Sequence, residues 1–231
     1  MNTHQLKQRE VIDQIEKQIQ DKSLSASTVE SVADFDNDSR TCLTSVHFPS
    51  LPLKQQIIQT IQQPLREQFP HLYYYPDESL HMTIKNIRVI NDPPHFSNDD
   101  VTIVKNVFED VIPKHHTFKV YFYRLLVFPA SLSLIGTTDP ELGAMIFDLD
   151  KTLNARGVPD DKIYINKQYF FSNMTLIRFT KPLDLSFQEE VMNLSSQLHF
   201  DPYVVDSVSL VRGNATLSKK SIIQTWKLNT T

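Results

Sequence analysis

Ser79-Leu80-His81-Met82-Thr83-Ile84-Lys85-Asn86-Ile87 is the stretch on which the reading of this chain turns. As an extended strand its side chains alternate, so His81 and Thr83 share one face. Leu80, Met82 and Ile84 form the apolar back, and Ile87 continues it after a slip of one position near the end. An imidazole that titrates near neutrality beside a hydroxyl, on a strand with a buried back, is a means of holding a phosphate group. Alone it decides little, because a strand histidine is more often packed or solvated than catalytic.

The second half of the chain repeats the pattern in Phe170-Phe171-Ser172-Asn173-Met174-Thr175-Leu176-Ile177-Arg178-Phe179. Asn173-Met174-Thr175-Leu176 matches His81-Met82-Thr83-Ile84 position by position, with Asn in place of His. Both segments alternate as strands do, and both place a Thr two residues after the polar residue.

A His-x-Thr-hydrophobic strand in each half resembles the two-histidine (2H) phosphoesterases, which include the RNA 2',3'-cyclic phosphodiesterases and the so-called 2'-5' RNA ligases. The resemblance covers about Thr41 to Arg212, and its departure is Asn173. It implies an α+β, bilobal fold: two pseudo-symmetric lobes with antiparallel sheets around a central groove lined by the motif strands. It also implies a metal-independent mechanism without cofactor, in which one histidine takes a proton from the attacking oxygen and the other protonates the leaving oxygen. The two threonines hydrogen-bond the phosphate oxygens. Carried over by position, His81 is an acid or base, Thr83 and Thr175 bind phosphate oxygens, and Asn173 stands where the second His belongs. An amide does not titrate near neutral pH, and losing one positioned acid or base removes a factor of roughly 10²–10⁴ in rate.

The resemblance therefore implies a protein that acts on, or binds, an RNA 2',3'-cyclic phosphate or a related 2'-5' phosphodiester, with impaired or altered catalysis. The alternative is a nucleotide- or RNA-end-binding or interaction domain that has lost catalysis.

Composition sets bounds on this. The 231 residues, 40% hydrophobic and 22% charged, suit a globular domain with a core of its own. Four glycines, in neither a Walker nor a dinucleotide spacing, leave phosphate binding to side chains or a helix start. A net charge of −4 argues against coating long nucleic acid, though not against reading one RNA end. The single cysteine, Cys42, cannot form an internal disulfide; it fits a reducing, cytoplasmic setting and reads as a buried strand residue rather than a nucleophile. No Cys/His cluster has zinc spacing, and His115-His116 reads as isolated and exposed. No run of about eighteen apolar residues exists to span a membrane.

Residues 1–38 read as an N-terminal helix and polar connector, and 39–231 as the 2H-like domain. Ile12, Ile15 and Ile19, with Leu6 upstream, give the helix one apolar side. That side is expected to dock on the domain of a monomer, and it is where self-association or a partner would otherwise bind. The domain opens with a strand at 40–48, then a helix over about 54–68 that Pro64 should kink or divide. A helix near 98–111, a strand pair at 117–128 and 131–137, and a helix opened by Asp139-Pro140-Glu141 follow. After the second motif strand come a helix over 186–198, a strand at 203–211 and a last strand at 222–228.

A competing motif lies at Phe147-Asp148-Leu149-Asp150-Lys151-Thr152, which resembles the Asp-x-Asp-x-Thr of the magnesium-dependent haloacid dehalogenase-like phosphatases. There both Asp leave a strand end together. Here Leu142, Ile146, Leu149 and Leu153 fall at helical spacing, and on a helix residues two apart diverge by about 200°. Asn173-Met174-Thr175 also matches a glycosylation acceptor, a chance match inside an aromatic-flanked strand.

Overall fold

Two capping boxes start the helices that frame the chain. Asn2 Oδ1 accepts from Gln5 N and Gln5 Oε1 from Asn2 N, opening α1 (Thr3–Gln20). Ser97 and Asp100 make the same reciprocal pair at the start of α4 (Asn98–Val111). Between them lie β1 (Thr41–His47), α2 (Leu51–Ile57), α3 (Gln63–Gln68), β2 (Tyr73–Tyr74) and β3 (Met82–Asn91). Then follow β4 (Phe118–Phe128), β5 (Ser131–Thr138), α5 (Glu141–Ala155), β6 (Ser172–Arg178), α6 (Leu185–Ser196), β7 (Tyr203–Val205), β8 (Ser207–Gly213) and β9 (Lys220–Lys227). The computed structural model describes residues 1–181 and 183–230.

The strands form two antiparallel sheets, one in the order β3-β1-β8-β9 and one in the order β2-β6-β5-β4-β7. This is the α+β, two-sheet architecture around a groove, with one motif strand in each sheet. The lobes are not the two halves of the sequence, however. β2 crosses from the first half into the second sheet, while β8 and β9 return from the C-terminus to the first. The strand expected at 203–211 is therefore two strands in different sheets, joined by Asp206 alone. The Asp206 carboxylate accepts from Ser207 Oγ and Lys227 Nζ, which fixes the corner.

Other local expectations shift for physical reasons. The helix expected at 54–68 starts at Leu51, and residues Ile58–Gln62 form a π-helical turn between α2 and α3. That widened turn lets Pro64 sit inside an otherwise continuous helix, because its missing N–H falls at the start of α3. Asp139 does not cap α5; its carboxylate instead accepts from Lys119 N and Tyr121 Oη on β4. Just past the Arg156 cap the chain leaves α5 through Gly157, whose φ of +76° suits glycine. Gly157 N and Val158 N return to Asn154 O and Leu153 O, and Val158 tucks into the core.

Asp148 and Asp150 both lie on α5 and serve different partners. Asp148 Oδ2 is 3.2 Å from His115 Nε2, whereas Asp150 Oδ1 is 2.6 Å from Lys85 Nζ. They do not converge on one ion, so the dehalogenase-like reading falls. His115, expected to be isolated and exposed, is buried between Glu141 and Asp148; only His116 is exposed.

α4 lies over β9 and α5 over β3, covering the back of the first sheet, and α6 covers β4 of the second. Gln62 ties the α2–α3 segment to the second sheet, its Nε2 donating to the carbonyls of Tyr75 and Leu176. Cys42 is buried on β1, and burial pushes its thiol up to about 12, so no thiolate is available there. Among the described residues, no helix is long and apolar enough to cross a membrane.

α1 packs on the groove side of the second sheet. Val11, Ile12 and Ile15 meet Leu126 and Ile135, and Gln8, fully buried, exchanges hydrogen bonds with Thr138 N and Oγ1. The connector is held as well, with Phe35 buried and its carbonyl accepting from Asn214 Nδ2.

Candidate functional site

Met82, Ile84, Met174 and Leu176 all belong to the main core, while Thr83 and Asn173 on the alternate positions are half-buried. His81, Thr83, Asn173 and Thr175 line one cavity of about 480 Å³ between the two sheets. That volume is within the range of small-ligand sites.

His81 sits at the entry to β3, 8% exposed. Its Nδ1 is 2.6 Å from the carbonyl oxygen of Ser79, which can only accept, so Nδ1 carries the hydrogen. Nε2 is left with its lone pair and has no hydrogen-bond partner among the described residues. Burial pushes the imidazole down to about 4; the Ser79 carbonyl partly opposes this, and the charges of Arg178 and Lys220 add to it. At neutral pH this imidazole is therefore neutral, a base rather than an acid.

On the facing sheet, Thr175 Oγ1 is 3.4 Å from Ser133 Oγ, its neighbour across the β5–β6 ladder. The Asn173 side-chain oxygen is enclosed and has no hydrogen-bond partner among the described residues. Strict alternation puts Ile177, not Arg178, on the face of Thr175. The ladder breaks this: Ser133 pairs with Thr175 but Leu132 pairs with Ile177, so Leu176 is an extra, bulged residue. Arg178 thereby comes opposite Ser131 and joins the cavity wall.

Arg178 is buried and forms no ion pair within 4 Å among the described residues. Its Nε donates to Tyr75 Oη at 3.2 Å, and the Tyr75 and His81 ring centroids are 6.0 Å apart. Arg178 was within reach of sequence reasoning, since it ends the second motif strand, but the alternation rule assigns it to the wrong face.

A second cation comes from the loop before β6. Lys85, wholly buried, takes both nearby carboxylates, Asp150 and Asp160. Lys162 lines the cavity with no carboxylate within 4 Å among the described residues, its Nζ 5.3 Å from the Tyr164 ring centroid. Enclosure pushes its ammonium down to about 8, against the opposing pull of Asp160. Burial pushes the Tyr164 hydroxyl up, out of any acid-base role. No pattern in the sequence singles out Lys162. No Asp or Glu lines the cavity among the described residues, a notable bias in a chain of net charge −4. No group of three His, Cys, Asp or Glu is placed to hold a metal ion among those residues.

The remaining wall is N-terminal. Val11, Ile15, Leu24 and Ala26 to Val29 bound the cavity, and Ser27 exchanges two hydrogen bonds with Ile163.

No protein-family model matches the sequence, and none of the curated proteins matches it significantly. Solved structures do. E. coli LigT complexed with 3'-AMP aligns over 83% of this chain and 99% of its own, at 13% identity and a TM-score of 0.54. The same protein complexed with ATP gives 14% identity, the same coverage and a TM-score of 0.51. A crystal structure described as a phosphoesterase gives 13% identity, 83% and 99% coverage and a TM-score of 0.52. The chain has the two-sheet fold of the LigT-like 2H phosphoesterases.

Proposed function

We propose that this protein is a 2H-type phosphodiesterase acting on RNA 2',3'-cyclic phosphate or a related 2'-5' phosphodiester, with catalysis altered by Asn173. The observation that carries the reading is the base-ready His81, its Nδ1 tied to the Ser79 carbonyl, in a cavity that among the described residues is lined by two cations without an ion-pair partner and by no carboxylate. An anionic ligand is what such a cavity accepts, and the hydroxyls of Thr83 and Thr175 suit phosphate oxygens. That LigT crystals hold ATP and 3'-AMP supports a nucleotide end as the ligand.

In this reading the phosphodiester lies between the two sheets. His81 takes a proton from the attacking water, and the threonines with Arg178 hold the charge that develops on the phosphoryl oxygens. Asn173 can donate a hydrogen bond but no proton, so turnover is slower than in a two-histidine site. A non-catalytic RNA-end binder is the second reading, favoured by Asn173 alone.

The experiment is hydrolysis of a 2',3'-cyclic nucleotide with a chelator present, for the protein and its His81→Ala variant. Metal-independent turnover that His81→Ala abolishes is the expected result. Binding without turnover selects the second reading. If neither binding nor hydrolysis of any cyclic or linear phosphodiester occurs, the groove serves another purpose.

A further inference from the structure

The site as described has a base on one strand and no proton donor on the other, and the structure points to a residue that fills the gap. We propose that Lys162 is the general acid of this site, protonating the leaving oxygen in place of the histidine that Asn173 replaces. The inference rests on the phosphodiesterase reading above and extends it by one catalytic residue.

The loop that carries Lys162 is fixed on both sides. Arg88 donates to the Pro159 carbonyl and Val89 N donates to Asp161 Oδ1 at 2.7 Å, which binds the loop to β3. One residue past Lys162, Ile163 N donates to Ser27 Oγ at 2.8 Å, and Ser27 N donates to Ile163 O at 3.0 Å. Lys162 is thus clamped between β3 and the N-terminal connector, with its side chain on the cavity that also holds His81 and Asn173.

The neighbouring charges leave its ammonium available. Asp160 lies on the same loop, but it and Asp150 of α5 are bound to Lys85 of β3. Arg178 of β6 and Lys85 both repel the Lys162 charge, and the Tyr164 ring stacks against it. Enclosure and these cations bring the lysine to about 8, so it is protonated at neutrality yet able to release its proton. On the same cavity the Asn173 oxygen is enclosed and has no hydrogen-bond donor among the described residues.

The step balances as follows. His81 Nε2 takes one proton from water as the water oxygen bonds to phosphorus. The bond from phosphorus to the ribose oxygen breaks, its electron pair stays on that oxygen, and Lys162 supplies the proton that makes it a hydroxyl. His81 ends protonated and Lys162 neutral, and exchange with solvent restores both.

The test uses the full chain and its Lys162→Met and Lys162→Arg variants, with two substrates. One is a 2',3'-cyclic nucleotide, whose ribose oxygen needs a proton to leave. The other is a p-nitrophenyl phosphodiester, whose phenolate departs without one. Lys162→Met is expected to lower kcat on the cyclic nucleotide by roughly 10²–10⁴-fold while leaving kcat on the nitrophenyl ester almost unchanged. Lys162→Arg, which keeps the charge but does not titrate, is expected to be as poor as Lys162→Met on the cyclic substrate. Rescue by arginine, equal losses on both substrates, or a loss confined to KM would overturn the assignment and leave Lys162 an anion-binding residue. If His81→Ala abolishes turnover while Lys162→Met does not, only the lysine role falls. If the unaltered protein hydrolyses neither substrate, the phosphodiesterase reading falls with it.

Discussion

Ile84 and Leu176 are structural counterparts: each is the extra residue of a β-bulge directly after a motif threonine. Thr83 pairs with Val46 and Lys85 with Ser45, skipping Ile84, as Thr175 pairs with Ser133 and Ile177 with Leu132, skipping Leu176. Each bulge turns its strand by one position. The residue two places beyond then lines the cavity, Asn86 on one wall and Arg178 on the other. The pseudo-symmetry of the motif strands thus extends through the bulge. The difference between Asn86 and Arg178 puts the guanidinium on one side of the cavity only.

Arg178→Gln should weaken binding of a nucleotide 2'- or 3'-phosphate by about 10- to 150-fold, the worth of a hydrogen bond to a charged group, about 1.5–3 kcal/mol. Arg178→Lys should recover part of it. Calorimetric titration with 3'-AMP checks this; unchanged affinity in Arg178→Gln would place the phosphate elsewhere.

Stability should fall on acidification between pH 6.5 and about 4 because of His81. The folded chain keeps this imidazole neutral down to about 4, whereas the unfolded chain binds a proton near 6.5. In that window the unfolded state holds more protons, so folding stability rises with pH; it is fully present above 6.5 and lost as pH falls through 4. The contribution is about 3 kcal/mol. His47, also lowered by burial, acts in the same direction. Urea titrations from pH 7 to 4 should show a shallower pH slope in His81→Asn; an identical slope would mean that His81 is not the group responsible.

Asn173→His restores a titratable group on the second wall and should raise kcat on a 2',3'-cyclic nucleotide by up to roughly 10²-fold, with little change in KM. In the same background Lys162→Met should lose most of its effect. Steady-state kinetics on the four combinations, with chelator, provide the measurement. A lower kcat in Asn173→His would show that the amide has a role that imidazole cannot fill.

Lys85→Ala should destabilise the fold by about 3–5 kcal/mol, since it strips two carboxylates of a buried partner. Lys85→Met with Asp150→Asn and Asp160→Asn should be far milder, because the charges leave together. Thermal melts distinguish these. A small effect of Lys85→Ala alone would mean that Asp150 and Asp160 find water.

The sequence carries the motif strands plainly, because an alternating pattern with a buried back leaves few other conformations open to Met82–Ile84 or Met174–Leu176. It carries the helix identity of Asp148 and Asp150 for a similar reason, the spacing of Leu142, Ile146, Leu149 and Leu153. It does not carry what depends on register. The bulges at Ile84 and Leu176 arise from pairing with β1 and β5, partners distant in sequence, so Arg178 reads as belonging to the wrong face. Lys162 is a loop lysine like any other until Lys85 claims Asp160. The split at Asp206 is equally invisible, since Tyr203 to Val211 is an unbroken strand-forming run whose two ends belong to different sheets.

That split has a mechanical consequence. Asp206 is the whole link from β7 of the second sheet to β8 of the first, whereas the other crossings run through longer segments, among them residues 75–81 between β2 and β3. At the Asp206 corner there is no slack, so drawing the sheets apart there would strain the β4–β7 or the β8–β9 ladder. Relative motion of the sheets is therefore expected to turn about Asp206 rather than to separate them at that corner.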